Sequence, residues 1–284
     1  MLFVYIFGIF EYMKRKKYYY LVRVSYLGFR FNGWQKQPGF KTLEGMITKT
    51  LQFVLGAQEF KILGAGRTDA RVSSLGGAFE LFLMDKPLED IDLFLKDFNC
   101  NLPADIKILS VKQVHEKFNI IHSVLEKTYC YLFSFGAKNH PFCASIMANY
   151  QEDLDIELMK KGAELFEGSH DFKNFTVKNA KKNSQTIRTI DSCEIKINED
   201  FTASFFPETS YVLEVRGKGF LRYQIRLIMG ALVYLGSGKI SLLDLEKLLS
   251  NELDGFIPYV ASGSGLHLKD ILFKELATVT ECGL

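Results

Sequence analysis

The apolar pattern of this chain switches between a period of two and a period of 3.6 in a fixed order, and that order limits the folds open to it. Residues 18–26 are rich in aromatic and β-branched side chains, which predicts a strand. Leu43, Ile47, Leu51 and Val54 recur at helical spacing, with Thr42 placed to cap them. Strands are predicted at 60–63, ending in a glycine turn, and at 78–83. Leu88, Ile91, Leu95 and Phe98 mark a second helix, and 106–114 a closing strand. The second half reads in a similar way. Strands are predicted at 129–135, 190–197, 211–215 and 268–273, with Cys193, Ile195 and Ile197 on one face of the second of these. Helices are predicted at 154–166, stopped by Gly168, and along Leu221, Ile225, Met229, Leu232 and Leu235. A short helix follows, with Ser241 as cap and Asp244 three residues on.

Two successive β-α-β-β-α-β units predict an α+β protein built of two ferredoxin-like halves, each an antiparallel sheet with helices on one face. The expected division is an N-terminal extension over 1–17, a subdomain over 18–116 and a second over 117–284. No repeat of fixed period accompanies it. The frame hosts many functions, RNA binding among them.

Hydrophobic residues make up 48% of the 284, enough for a sizeable core. The formal net charge of +2 neither demands nor excludes a nucleic acid, so local clusters matter more. Two stand out: Lys178, Lys181, Lys182 and Arg188, then Arg216, Lys218, Arg222 and Arg226. A charge run is more often a solvated face than a binding site. The five cysteines are Cys100, Cys130, Cys143, Cys193 and Cys282, with no C-x-x-C pair, which argues for reduced thiols in a cytoplasmic protein. The five histidines lack metal-ligand spacing, so no metal is expected. The apolar run at residues 1–12 is too short to span a bilayer, and its basic cluster follows rather than precedes it. A membrane role is not expected, and a chain starting at Met13 is expected to fold and work normally.

The segment Gly64-Ala65-Gly66-Arg67-Thr68-Asp69-Ala70 follows a predicted strand directly. Glycines permit a tight turn there, and an arginine two residues from an aspartate can pair with it or meet a phosphate. An ordinary surface turn with an Arg-Asp pair is the bland alternative. The segment is neither a Walker A loop nor a dinucleotide fingerprint.

Gly66 to Ala70 resembles the catalytic motif of the tRNA pseudouridine synthase A (TruA) family. Other segments agree in order. Tyr26, Gly28 and Gly33-Trp34-Gln35-Lys36-Gln37 resemble its first strand and loop, and Asn101-Leu102-Pro103 with Asp105-Ile106 a later segment. So do Lys127-Thr128-Tyr129-Cys130-Tyr131, Asp171-Phe172 with Phe175, the run from Phe220 through Arg226 to Gly230, and Gly265-Leu266. The resemblance spans roughly residues 18 to 275. It implies the pseudouridine synthase fold, with a catalytic cleft between the halves. It also implies Asp69 as the catalytic carboxylate, with Tyr129, Arg67 and Arg226 at the substrate. Arg222 shares a helical face with Arg226 and is a further substrate-binding candidate. The reaction implied is isomerisation of uridine in the tRNA anticodon stem-loop, positions 38 to 40, by a homodimer without a cofactor.

The sequence departs from the family at several places. Leu27 replaces an aspartate, and Arg71 and Ser73 stand where glycine and histidine are usual. Ile121 and Gln185 stand where arginine is usual. Arg71 is therefore expected to add a substrate contact at a rearranged rim. Two other readings stay open: a synthase acting on another RNA such as rRNA, and a non-catalytic RNA-binding protein on the same frame.

Overall fold

The computed structural model describes residues 16–177, 185–253 and 259–274. The N-terminal extension up to residue 15, the lysines 178, 181 and 182 of the first basic cluster, and Cys282 lie outside them.

The first six elements follow the predicted order: β1 (Lys17–Tyr26), α1 (Leu43–Leu55), β2 (Phe60–Gly64), β3 (Ser73–Met84), α2 (Ile91–Asn101) and β4 (Ile106–Val114). Thr42 caps α1, its side chain accepting from the Gly45 N–H, and Asp90 caps α2 by accepting from Leu93. The apolar stripes of both helices, including Ile47, Leu51, Phe94 and Phe98, pack on alternate residues of β1 and β3: Tyr20, Val22 and Val24 from one, Phe79, Leu81 and Leu83 from the other.

The remainder is more elaborate than predicted. It runs β5 (Val124–Phe135), β6 (Ala148–Tyr150), α3 (Ile156–Glu164), β7 (Gly168–Asp171), β8 (Ile187–Ile190), β9 (Ser192–Ile197), β10 (Tyr211–Gly217), α4 (Gln224–Gly236), α5 (Leu242–Leu249) and β11 (Leu266–Phe273). The strand expected at 190–197 is two, broken at Asp191, whose N–H bonds to the Arg216 carbonyl. Cys193 and Ile195 are buried as expected, but Ile197, at the strand end, is exposed. β7 and β8 form a separate hairpin; β7 reads Gly-Ser-His-Asp, which carries no strand signal. The capping box of Ser241 and Asp244 is present.

The two halves do not keep separate sheets. Nine strands form one, along the path β4-β1-β3-β11-β5-β10-β9, with β2 on β3 and β6 on β5. The join is a short parallel pairing of His267 with Ser73 and Leu268 with Ser74. β1 occupies one edge of β3 along most of its length, so β2 and β11 share the other. β2 pairs with Phe79 to Leu83 and stops at Gly64, and β11 takes over at the other end of β3. The loop from Ala65 to Val72 emerges at this junction. Arg23 clamps the seam, donating to the carbonyls of Gly76 (3.1 Å) and Ile271 (2.7 Å).

Helices α3, α4 and α5 cover the β5–β10 part of the sheet, burying Tyr131, Phe133, Leu213 and Val215. The opposite face of β5 is buried as well, with Cys130 and Leu132 under Phe201, Phe205 and Phe206. Glu214 on β10 sits there, almost fully buried, held by Lys269 (2.9 Å) and Arg216 (2.6 Å), and these cations lower its pKa to about 2. Among the described residues no helix is long and apolar enough to cross a membrane.

Gly230 lets residues 259–261 lie against α4: a Cβ there would sit 2.0 Å from the Tyr259 carbonyl oxygen. Overpacking of this kind costs about 1–3 kcal/mol or more. Gly230→Ala should therefore lower the melting temperature by roughly 2–10 °C. Gly219→Ala, with nothing within 4 Å of the added carbon, should leave it unchanged. Calorimetry of both variants checks the pair.

Candidate active site

The loop between β2 and β3 carries Asp69, and close packing fixes its shape. The Trp34 N–H donates to the Thr68 carbonyl (3.0 Å), and the Arg71 N–H to the Phe31 carbonyl (3.1 Å). The hydroxyls of Thr68 and Tyr26 bond at 2.9 Å in the interior. Gly33, at φ +93°, is needed twice over: its backbone is left-handed, and a Cβ would lie 2.8 Å from the Thr68 carbonyl oxygen.

Opposite the loop stand β5 and the start of α4. Together they enclose a cleft of about 920 Å³ between the two halves. Asp69, Arg67, Tyr129, Arg222 and Arg226 all line it, as does Lys127. Asp69 is the one carboxylate among these lining residues, facing Arg67, Lys127, Arg222 and Arg226. The balance of charge suits a polyanion.

Arg226 Nη1 lies 3.7 Å from Asp69 Oδ2, an ion pair rather than a close hydrogen bond, with both side chains largely buried. Its Nε donates to the Ala261 carbonyl (2.7 Å), on the segment that Gly230 admits. Burial raises the Asp69 pKa above the ordinary carboxylate value, and Arg226 and then Arg222 pull it back only in part. Tyr129 is buried at the floor, its ring edge-on to Phe220 at 5.4 Å. Burial raises its phenol pKa, and neighbouring Tyr26 and Asp69 add to the shift.

Arg67 is exposed at the rim and donates to Gln35 Oε1 (3.2 Å). Arg71 is not brought to the cleft. Its backbone is left-handed, at φ 67°, and its guanidinium lies over the Phe29 ring, 5.4 Å from the centroid, outside the lining residues. The charge expected at the rim thus points elsewhere because the tight turn after Asp69 reverses the chain. Arg216, from the second basic cluster, is bound to Glu214. Ile121, where arginine is usual, does line the cleft and is exposed.

Lys127, from the Lys127 to Tyr131 motif, also lines the cleft. Its ammonium donates to the Ala65 carbonyl (2.8 Å), in the Asp69 loop, and burial lowers its pKa. The signal was present: Lys127 and Tyr129 are two apart in a strand, and so share a face. Among the described residues no cluster of metal-ligating side chains occurs.

Residues 163–274 match the family described as tRNA pseudouridine synthase. The chain is 34% identical over 247 residues to a tRNA pseudouridine synthase A of Dictyoglomus thermophilum, covering 87% of this chain and 96% of that one. It is 32% identical over 255 residues to that of Aquifex aeolicus, covering 89% and 98%. A chain of a Cbf5-Nop10-Gar1 complex is similar at 15% identity and TM-score 0.31, over 75% of this chain and 45% of that one, too distant to define the fold. The sequence matches put the protein in the class of pseudouridine synthases, enzymes that isomerise uridine within RNA. Within that class the chain belongs to the tRNA pseudouridine synthase A family.

A carboxyl whose pKa is raised on folding favours the native state below its unfolded pKa and disfavours it once the pH exceeds the folded value. Asp69 is of this kind, from the ordinary value of 3.8 upward. Asp69→Asn is therefore expected to melt higher than the wild type at pH 8, with the advantage fading as the pH falls towards 4. An equal or lower melting temperature at pH 8 would contradict the burial argument.

Proposed function

We propose that this protein is a cytoplasmic tRNA pseudouridine synthase in which Asp69 acts on uridines of the anticodon stem-loop, at positions 38 to 40. The carrying observation is the buried carboxylate of Asp69, alone among the cations of the cleft and ion-paired with Arg226. Family membership supplies the reaction. The bond from uracil N1 to ribose C1′ breaks, the base turns, and a bond from C5 to C1′ forms, with the C5 proton lost and N1 protonated. Atoms and oxidation state are conserved, so the chemistry consumes no redox cofactor or energy source.

A uridine within a stem-loop must leave its stack to expose the glycosidic bond. The cleft is large enough for a nucleotide and its neighbours. Arg67 and Arg222, at its edge, suit phosphate contacts. Arg226 offsets part of the desolvation that disfavours the Asp69 carboxylate, and an ionised carboxylate can attack the sugar or remove a proton. Tyr129 supplies a buried aromatic ring at the cleft on which the freed base can stack.

Incubation of Asp69→Asn with unmodified tRNA tests this reading. Pseudouridine formation should fall at least about a hundredfold, with tRNA affinity nearly kept. Near wild-type turnover would sink the assignment. Mapping on total tRNA and rRNA decides the substrate. The exposed Ile121 in place of a rim arginine favours a second reading, another RNA such as rRNA, which modification at rRNA uridines alone would establish.

We infer a homodimer as well. Exposed Phe142, in ring contact with His140 and Phe205, supports an interface on the second half. Light scattering at micromolar concentration should give twice the chain mass, and a monomer mass throughout would refute it.

A further inference from the structure

Tyr223 holds a backbone conformation that tyrosine ordinarily avoids. It sits at φ 64°, ψ 2° as the residue before α4, in the left-handed region, and its side chain makes no capping hydrogen bond. Strain of this sort persists only where the surroundings impose it, and it gathers at functional sites. Glycine or asparagine would occupy the position at less cost.

The ring explains what is gained. Arg222 lies over it at 5.1 Å and Arg226 at 5.0 Å from the centroid. These are the two cations that stabilise the charge on Asp69, and one of them pairs with it directly. Tyr223 lines the cleft with them. Arg226 is thus held between the Ala261 carbonyl and an aromatic ring, within reach of Asp69. A long arginine side chain has several rotatable bonds, and an aromatic partner restricts them. The left-handed turn sets Tyr223 between two arginines that flank it in sequence at −1 and +3.

The geometry points to Tyr223 as a positioning residue, whose ring fixes Arg226 at Asp69 and Arg222 at the cleft edge beside it, in exchange for a strained backbone. This rests on the reading that Asp69 acts on the substrate. The partner is the ring face, so the phenol hydroxyl is dispensable.

Three variants separate this role from simple packing. Tyr223→Phe keeps the ring, and should retain kcat within about twofold. Tyr223→Leu loses the ring and keeps the constraint of a side chain at positive φ. Tyr223→Gly loses the ring and relieves the constraint. Both should lose about tenfold in kcat, with KM for tRNA within about threefold, while Tyr223→Gly melts higher than Tyr223→Leu. Activity would then follow the ring and not the stability. Wild-type kcat in Tyr223→Gly, or kcat that tracks melting temperature across the series, would overturn the proposal. So would equal impairment of Tyr223→Phe and Tyr223→Gly. Asp69→Asn in the same assay distinguishes the two failures: an inactive Asp69→Asn beside a fully active Tyr223→Gly overturns the role of Tyr223 alone, and an active Asp69→Asn overturns the reading beneath it.

Discussion

One edge of β3 is shared by two strands, and the active-site geometry follows from that division. β2 takes the stretch from Phe79 to Leu83 and β11 the pair Ser73 and Ser74. A strand edge can serve both only if the first ends where the second begins. The intervening chain must then leave the sheet, and it does so as the loop carrying Asp69. The same handover brings β11, and with it β5, alongside the first half. A cleft between two halves is thereby built on a continuous hydrogen-bonded sheet, and Arg23 ties both sides of the seam.

Within that cleft two electrostatic effects oppose each other. Burial disfavours the carboxylate of Asp69, and the guanidiniums of Arg226 and Arg222 favour it, with burial the larger. The resulting carboxyl is less stable as an anion than one in water, and correspondingly more reactive when ionised. Lys127 and Arg67 add positive charge around it without pairing with a carboxylate among the lining residues. The same cations that favour the Asp69 carboxylate also suit the phosphates of an RNA backbone.

Close approach of backbones keeps these groups in register. Gly33 admits the Thr68 carbonyl, Gly230 admits the Tyr259 carbonyl, and Gly263 admits that of Ala70, which a Cβ would meet at 2.3 Å. Each contact locks a segment bearing or supporting a charged group of the cleft. Tyr223 is the counter-example, a bulky residue where glycine would be comfortable, and its ring contacts with two arginines account for it.

The element types of the first half were legible in the sequence because its helices carry one apolar stripe and its strands runs of aromatic and β-branched residues, with Thr42 marking a helix start; the Asp90 cap of α2 emerged only in the structure. Asp69, Arg67, Tyr129 and Arg226 were legible through motif resemblance, and all four line the cleft. The strand break at Asp191 and the β7–β8 hairpin were not, since short polar strands carry no period. Nor was the direction of Arg71, which depends on a left-handed turn that no local pattern announces. The sequence by itself determined the secondary-structure periods, the charged groups available and the family. Tertiary structure alone decided that two sheets become one and which arginines reach Asp69. It also decided that a tyrosine holds two of them, because strand register, desolvation and imposed backbone strain arise only between segments far apart in the chain.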